Sequence, residues 1–262
     1  MEYRNLLFTI EDRVCRVTLN RPELHNAMNR EMLDELRAAF DSVALLRPGE
    51  VRVVVLTGAG KSFSAGADVN WMRASLDFSE EENVADALAL ARTFESINTC
   101  RVPVIARIQG AALGGGVGLA AVADIVVAAD NARFAFSEAK LGIAPAVISP
   151  YVLAKIGTSH ARALFFTAER FSAERALAIG LVHIVVGADA LDAEVDRLVA
   201  ELKSSATGAI TRAKLLIATV PTLAPGDAMQ YTAETIAALR VSREGQEGLH
   251  AFLEKRKASW VE

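Results

Sequence analysis

Apolar and polar residues alternate over Cys15-Arg16-Val17-Thr18-Leu19, the two-residue period of a strand with one face buried. Asn20-Arg21-Pro22-Glu23 follows as turn chemistry. From Asn29 the period lengthens. Met32, Leu33, Leu36, Phe40, Val43 and Ala44 recur at helical spacing, Asn29 stands where an N-cap belongs, and Pro48-Gly49 ends the segment. Val51 to Leu56, Val102 to Ile108 and Ile125 to Ala129 are dominated by apolar residues, as expected of strands buried on both faces. A shorter strand is predicted at Phe134 to Phe136 and a helix over roughly Glu80 to Ile97. Two loops rich in small residues, 57–68 and 110–118, each follow a strand, and the second runs into a small-residue helix over Leu119 to Ala123. After Pro150 the pattern turns helical, with segments near 151–157, 160–167, 172–179, 189–205, 207–219, 225–240 and 242–257. Repeated strand–strand–helix units predict a layered α/β core over residues 1–199, followed by a helical region over 200–262.

Composition narrows the classes. With 52% hydrophobic and 23% charged residues the 262-residue chain sustains a buried core and is not disordered. No uncharged apolar run is long enough to suggest a membrane span, and the first ten residues lack a signal-peptide layout. Two cysteines, Cys15 and Cys100, form neither a disulfide scaffold nor a metal cluster, so a reducing cytoplasm is expected. The net charge of −4 offers no basic footprint for nucleic acid. The histidines, at 25, 160, 183 and 250, avoid 61–75 and 110–150, so no histidine base is expected in a site built from those loops.

The glycine loops admit three chemical readings. Gly58-Ala59-Gly60-Lys61-Ser62 is not a phosphate loop, because the required earlier glycine is Val55. Gly116-Val117-Gly118-Leu119-Ala120-Ala121 fits a loose dinucleotide fingerprint, but extra glycines and Leu113 separate it from its strand, and no acidic partner stands about 20 residues on. In the third reading Ala65-Gly66-Ala67-Asp68 and Gly114-Gly115-Gly116 present unpaired N–H groups at two helix starts, which together would make an oxyanion hole. Plain tight turns remain the alternative at this level.

Four ordered segments carry a resemblance over essentially the whole chain: Leu19-Asn20-Arg21-Pro22 with His25-Asn26-Ala27-Met28, Phe63 to Asp68, Gly110 to Gly116 running on to Ala123-Asp124, and Phe136 to Gly142. They resemble the crotonase superfamily, the enoyl-CoA hydratase/isomerase proteins. The resemblance implies an α/β fold, a crotonase (ClpP-like) spiral of ββα turns with a C-terminal helical trimerisation region, and hence a homotrimer or a hexamer built as a dimer of trimers. It implies an acyl-CoA substrate, with coenzyme A as part of that substrate and no separate cofactor or metal. By position, the thioester oxygen would be held by the N–H groups of Ala67 and Gly115. Leu24, His25, Ala27, Ala65, Gly66, Asp68, Val69, Trp71, Gly114 and Leu141 are the residues expected along the coenzyme A and substrate.

Two glutamates hold the water in the best-understood hydratases of this family. The second maps to Glu138; at the position of the first stands Gly118. One carboxylate can still move a proton at C2, so hydration, Δ3,Δ2 isomerisation and thioester hydrolysis all stay open. Gly118 is expected to widen the pocket for a branched or carboxylated chain. The segments 67–73 and 141–151 resemble hydratases of methylglutaconyl- or isohexenylglutaconyl-CoA, and Arg73, Lys140 and Tyr151 are candidate partners for a second carboxylate. Asp124 is expected to cap or pair rather than to meet substrate. An RNA-binding role is disfavoured, because the helix over Asn29 to Arg47 carries three arginines against four acidic residues. A non-catalytic acyl-CoA binder would not need both oxyanion segments.

Overall fold

The computed structural model describes residues 3–261. Among these residues run the strands β1 (Leu6–Glu11), β2 (Val14–Leu19), β3 (Val53–Gly58), β4 (Val104–Ile108), β5 (Ala111–Leu113), β6 (Ile125–Ala129), β7 (Arg133–Ala135), β8 (Arg170–Ser172) and β9 (Ile184–Val186). The larger sheet has the order β1-β2-β3-β4-β6-β9 and the smaller β5-β7-β8. β1 pairs antiparallel with β2, and the larger sheet is parallel from β2 onward.

Its inner strands are buried on both faces, as their composition predicted. Val54 and Leu56 enter the main core, beside Leu36 and Phe40 of α1 (Arg30–Leu45) and Phe94 of α3 (Glu80–Asn98). Their neighbours Val53 and Val55 face a second core with Ile105, Val127 and the inward residues Leu191, Val195 and Val199 of α7 (Leu191–Ser204). Asn29 caps α1 as expected, its side chain accepting from the Met32 N–H.

The chain advances as a spiral. Each turn sends one strand to the larger sheet, one short extended segment to a second layer, and then a helix. The second-layer segments stack in parallel: Met28 bridges to Ala67, Ser64 bridges to Ala112, and Ala112 pairs with Phe134 in β5 and β7. The helices that follow are α1, then α2 (Val69–Ala74) with α3, then α4 (Gly115–Val122), then α5 (Ser149–Thr167). This is the ββα spiral that the resemblance implied.

Five elements depart from the hydrophobic pattern, among them β8, whose Ser172 end falls where a helix is expected. β5 lies in a segment that reads as a loop, and α2 follows directly on the first glycine loop, where no element is predicted; both are short. β9 is a three-residue strand with no alternation to reveal it. The two helices predicted over 151–157 and 160–167 are one span broken at Gly157, whose φ of 69° is left-handed. The C-terminal part comprises α6 (Ala173–Ala178), α7, α8 (Thr207–Thr219), α9 (Pro225–Val241) and α10 (Arg243–Leu253). The expected boundary at 199/200 falls inside α7, which packs on the sheet; Leu198 and Leu202 of α7 cover the second core. No described helix is long and apolar enough to cross a membrane.

Candidate active site

Three residues beyond the Ser64, Ala112 and Phe134 positions stand Ala67, Gly115 and Ser137, with Glu138 next. Each of these points ends the second-layer segment of its own turn, just before a helix. A cavity of about 280 Å³ opens at this level, and Met28, Ala67, Trp71, Gly115, Glu138 and Ile148 all line it.

The two glycine loops are in backbone contact. Gly66 has φ +92°, and a Cβ there would sit 2.8 Å from the Leu113 carbonyl oxygen. Gly114 has φ +49°, and a Cβ there would lie 3.3 Å from Glu138 Oε1. Glycine at both places meets a conformational and a steric demand together. The backbone on either side of Ala67 is paired: Met28 N–H donates to Gly66 O at 2.7 Å and Asp68 N–H to Met28 O at 2.9 Å. Gly114 N–H likewise donates to Ala135 O at 2.8 Å. The N–H groups of Ala67 and Gly115 donate to no acceptor among the described residues. Gly115 is also the first residue of α4, where the helix dipole adds partial positive charge.

Glu138 opens a short 3₁₀ turn, Glu138–Leu141, after β7. Its side chain is largely buried, and Oε2 finds no hydrogen-bond partner among the described residues. Burial pushes its carboxyl above the ordinary glutamate value, since the charged form loses its hydration. A carboxyl whose burial favours the protonated form, beside two unpaired donors, is equipped to hold or move a proton next to a polarised carbonyl.

Gly118 does not widen the cavity. It is buried on α4, and a Cβ there would run into Ile148 Cγ2 and the Phe94 ring. The volume that a longer side chain would need is filled with hydrocarbon.

Several expected residues take other places. Asp68 is buried, and its carboxylate points inward: Oδ1 accepts from Asn70 N–H at 2.8 Å and Trp71 N–H at 3.3 Å, and Oδ2 pairs with Arg21 at 2.9 Å. It caps α2, so its carboxylate is committed to the protein. Leu24, His25, Ala27, Ala65 and Gly66 form two adjoining segments joined by Ala65 N–H to His25 O at 2.9 Å, leading to the wall at Met28 and Ala67. Val69 and Leu141 are exposed. Arg73, Lys140 and Tyr151 are absent from the cavity lining, as is every other cation; the ionisable lining residues are Glu138 and Asp86. Arg73 and Lys140 are solvent-exposed, whereas Tyr151 packs its ring 6.3 Å from Phe94. Asp124 is structural, accepting from Val104 N–H at 2.8 Å and pairing with Lys214 at 2.7 Å. Sequence reasoning missed the wall from α3, where Asn83, Asp86, Ala87 and Leu90 face the cavity. Their i, i+3, i+4, i+7 spacing is the available signal. It was hidden because a mixed polar stripe reads as a solvated face.

Residues 9–262 match the sequence model of the enoyl-CoA hydratase/isomerase family. The chain belongs to this family. It is 33% identical over 263 residues to the crotonyl-CoA hydratase of Syntrophomonas wolfei, covering 100% of this chain and 99% of that one. Among solved structures, an enoyl-CoA hydratase from Shewanella pealeana superposes with a TM-score of 0.95 at 38% identity, covering 99% of this chain and 97% of that one. Pseudomonas aeruginosa AtuE gives a TM-score of 0.95 at 36% identity, covering 99% of this chain and 100% of that one. The crotonase spiral of this chain is therefore the fold of its family.

Proposed function

We propose that this family member hydrates the C2=C3 bond of a 2-enoyl-CoA, with Glu138 as its single acid–base group. The observation that carries the reading is the meeting of an unpartnered Glu138 Oε2 with two unpaired N–H groups, Ala67 and Gly115, in one cavity. The thioester oxygen accepts from both N–H groups, which draw charge off the alkene and make C3 electrophilic. Water adds to C3; Glu138 takes its proton and returns one to C2 from the same face, as the enolate collapses to the thioester. The S. wolfei relative, named for crotonyl-CoA, supports the same reaction type. Coenzyme A lies along Leu24, His25, Ala27 and Ala65, and the acyl chain lies against Trp71, Leu90 and Ile148. Because Ile148 and Phe94 close the Gly118 side, the water is oriented by Glu138 without a second carboxylate.

The finer reading, a branched or carboxylated chain, draws support from segments 67–73 and 141–151. A second carboxylate would have to recruit Arg73 or Lys140, both exposed and neither in an ion pair among the described residues. A second reaction is favoured by the lone carboxylate itself: a Δ3,Δ2 isomerase needs one base that moves a proton from C4 to C2. Exposed Ile217, Val241 and Phe252 on the C-terminal helices support the proposed trimer.

Turnover of crotonyl-, 3-enoyl- and 3-methylglutaconyl-CoA in ¹⁸O-water separates these. Product carrying one heavy water establishes hydration. A shifted double bond without added mass establishes isomerisation, and free coenzyme A establishes hydrolysis and ends the lyase reading.

A further inference from the structure

The geometry points to a positioning pair behind the Ala67 donor: the buried ion pair of Arg21 and Asp68 sets the direction of the Ala67 N–H without touching substrate. This inference rests on the reading of Ala67 as an oxyanion donor.

Ala67 has no side-chain hydrogen bond to fix its peptide. Its orientation is inherited from its neighbours, and both are tied to one segment. Gly66 O and Asp68 N–H close on Met28 from either side, at 2.7 and 2.9 Å. Arg21 then clamps the two segments from behind. Its Nη1 donates to Ala27 O at 2.6 Å, and its Nη2 meets Asp68 Oδ2 at 2.9 Å. A planar guanidinium holds two acceptors in a fixed fork; an ammonium does not. The side chains are 15% and 6% exposed, so the pair is shielded from competing water. Burial alone would raise the Asp68 carboxyl. The N–H groups of Asn70 and Trp71, with the Arg21 guanidinium, outweigh it and hold the group below its ordinary value. Asp68 therefore stays ionised, capping α2 and anchoring Arg21 in one side chain.

The backbone of residues 21–27 supports the clamp. Arg21 N–H donates to Asn26 Oδ1 at 3.0 Å, and Asn26 Nδ2 reaches Ala59 O and Ser62 O at 2.8 Å. Arg21 thus projects from a braced turn, and small displacements of its head would be passed to the 66–68 backbone. A misplacement of a donor by a fraction of an ångström is enough to weaken transition-state stabilisation without preventing binding.

The test separates positioning from simple stability. The reporter is 2,4-hexadienoyl-CoA bound to the Glu138→Gln protein, which holds the ligand without turnover. Polarisation of its thioester carbonyl moves the ultraviolet absorption to longer wavelength. Asp68→Asn keeps a cap acceptor for α2 but removes the charge. Arg21→Lys keeps the charge but loses the fork. In the Glu138→Gln background each is expected to reduce the red shift by half or more while changing the dissociation constant less than about threefold. In the protein with Glu138 intact each is expected to lower kcat by about 10–100-fold, with KM within about threefold. An undiminished red shift in folded Asp68→Asn and Arg21→Lys, verified by circular dichroism, overturns the inference and leaves the donor reading standing. No red shift in Glu138→Gln itself overturns the donor reading, and the positioning role with it.

Discussion

The loops at residues 64–68 and 113–118 each offer one backbone N–H to the same cavity, and they hold it by opposite means. The first is tied by side chains. Ser64 Oγ donates to Asn26 O at 2.9 Å, Arg21 pairs with Asp68, and Asp68 caps a helix of six residues that is largely open to solvent. The second uses no side-chain hydrogen bond at its cap. A Cβ at Gly115 would come 2.5 Å from Met28 Cε, and one at Gly116 would come 2.6 Å from Ser64 O. Residues 116–122 of α4 are all buried. One donor is held by charge and hydrogen bonds, the other by the absence of side-chain volume. The first should fail when charge is altered, the second when atoms are added.

The largest expected effect removes the one carboxylate that stands beside both donors. Glu138→Gln lowers kcat by about 10²–10⁴-fold and leaves acyl-CoA binding largely intact, read by steady-state kinetics and by calorimetry with a slow substrate analogue. The same change should stabilise the fold at neutral pH. A carboxyl raised by burial binds its proton more tightly when folded, so its contribution to stability falls as pH rises through the range between its ordinary and raised values. The difference in Tm between wild type and Glu138→Gln should therefore widen from pH 4 to pH 8. A constant difference would contradict the buried state of the carboxyl.

Next come the additions of volume. Gly116→Ala is expected to destabilise by about 1–3 kcal/mol through overpacking against Ser64, with a fall in kcat that tracks the displaced Gly115 donor. An equivalent Ala67→Gly change adds nothing and should be tolerated, with melting temperature altered by only a degree or two. Gly118→Ala is expected to lose a similar 1–3 kcal/mol against Ile148 and Phe94, and Ile148→Ala should recover part of it. Additive losses in the double variant would mean that the two residues do not share space.

The last effect is confined to alkaline pH and lies at the far end of α4. Lys155 donates to Ala123 O at 2.7 Å, and burial brings its ammonium down to about 8. An unfolded lysine binds its proton up to its ordinary, higher value. Stability should therefore rise with pH between about 8 and about 10.5, and Lys155→Met should flatten that rise in urea titrations.

Hydrophobic pattern alone located the inner parallel strands β3 and β6, because Val53 to Leu56 and Ile125 to Ala129 leave an unbroken apolar run. It also placed α1, whose stripe and Asn29 cap agree. It could not locate β5, since three residues carry no period and their pairing is decided by β7, 22 residues on. The two loops that carry Ala67 and Gly115 stand out locally by their small residues, whereas the choice of those two positions and of Glu138 comes from the resemblance. A backbone donor has no residue type to betray it, and a lone glutamate reads as a helix-start acid. The ion pair of Asp68 is hidden for a related reason: Arg21, which claims it, stands 47 positions earlier, and no local pattern records that pairing. In the sequence Gly118 reads as space. Only packing shows that Ile148, thirty residues later, already occupies it.

The two donors of the proposed reaction are main-chain atoms, and this shapes how such a chain can drift. Any replacement at 67 or 115 that fits the backbone still presents its N–H; proline alone deletes it. Glu138 enjoys no such protection, because one codon change converts it to glutamine. The lineage therefore has an easy step from catalyst to carrier: a protein that still grips a thioester by its carbonyl but no longer transforms it. Descendants of this fold that store or shield acyl groups need acquire nothing new, only lose one carboxylate.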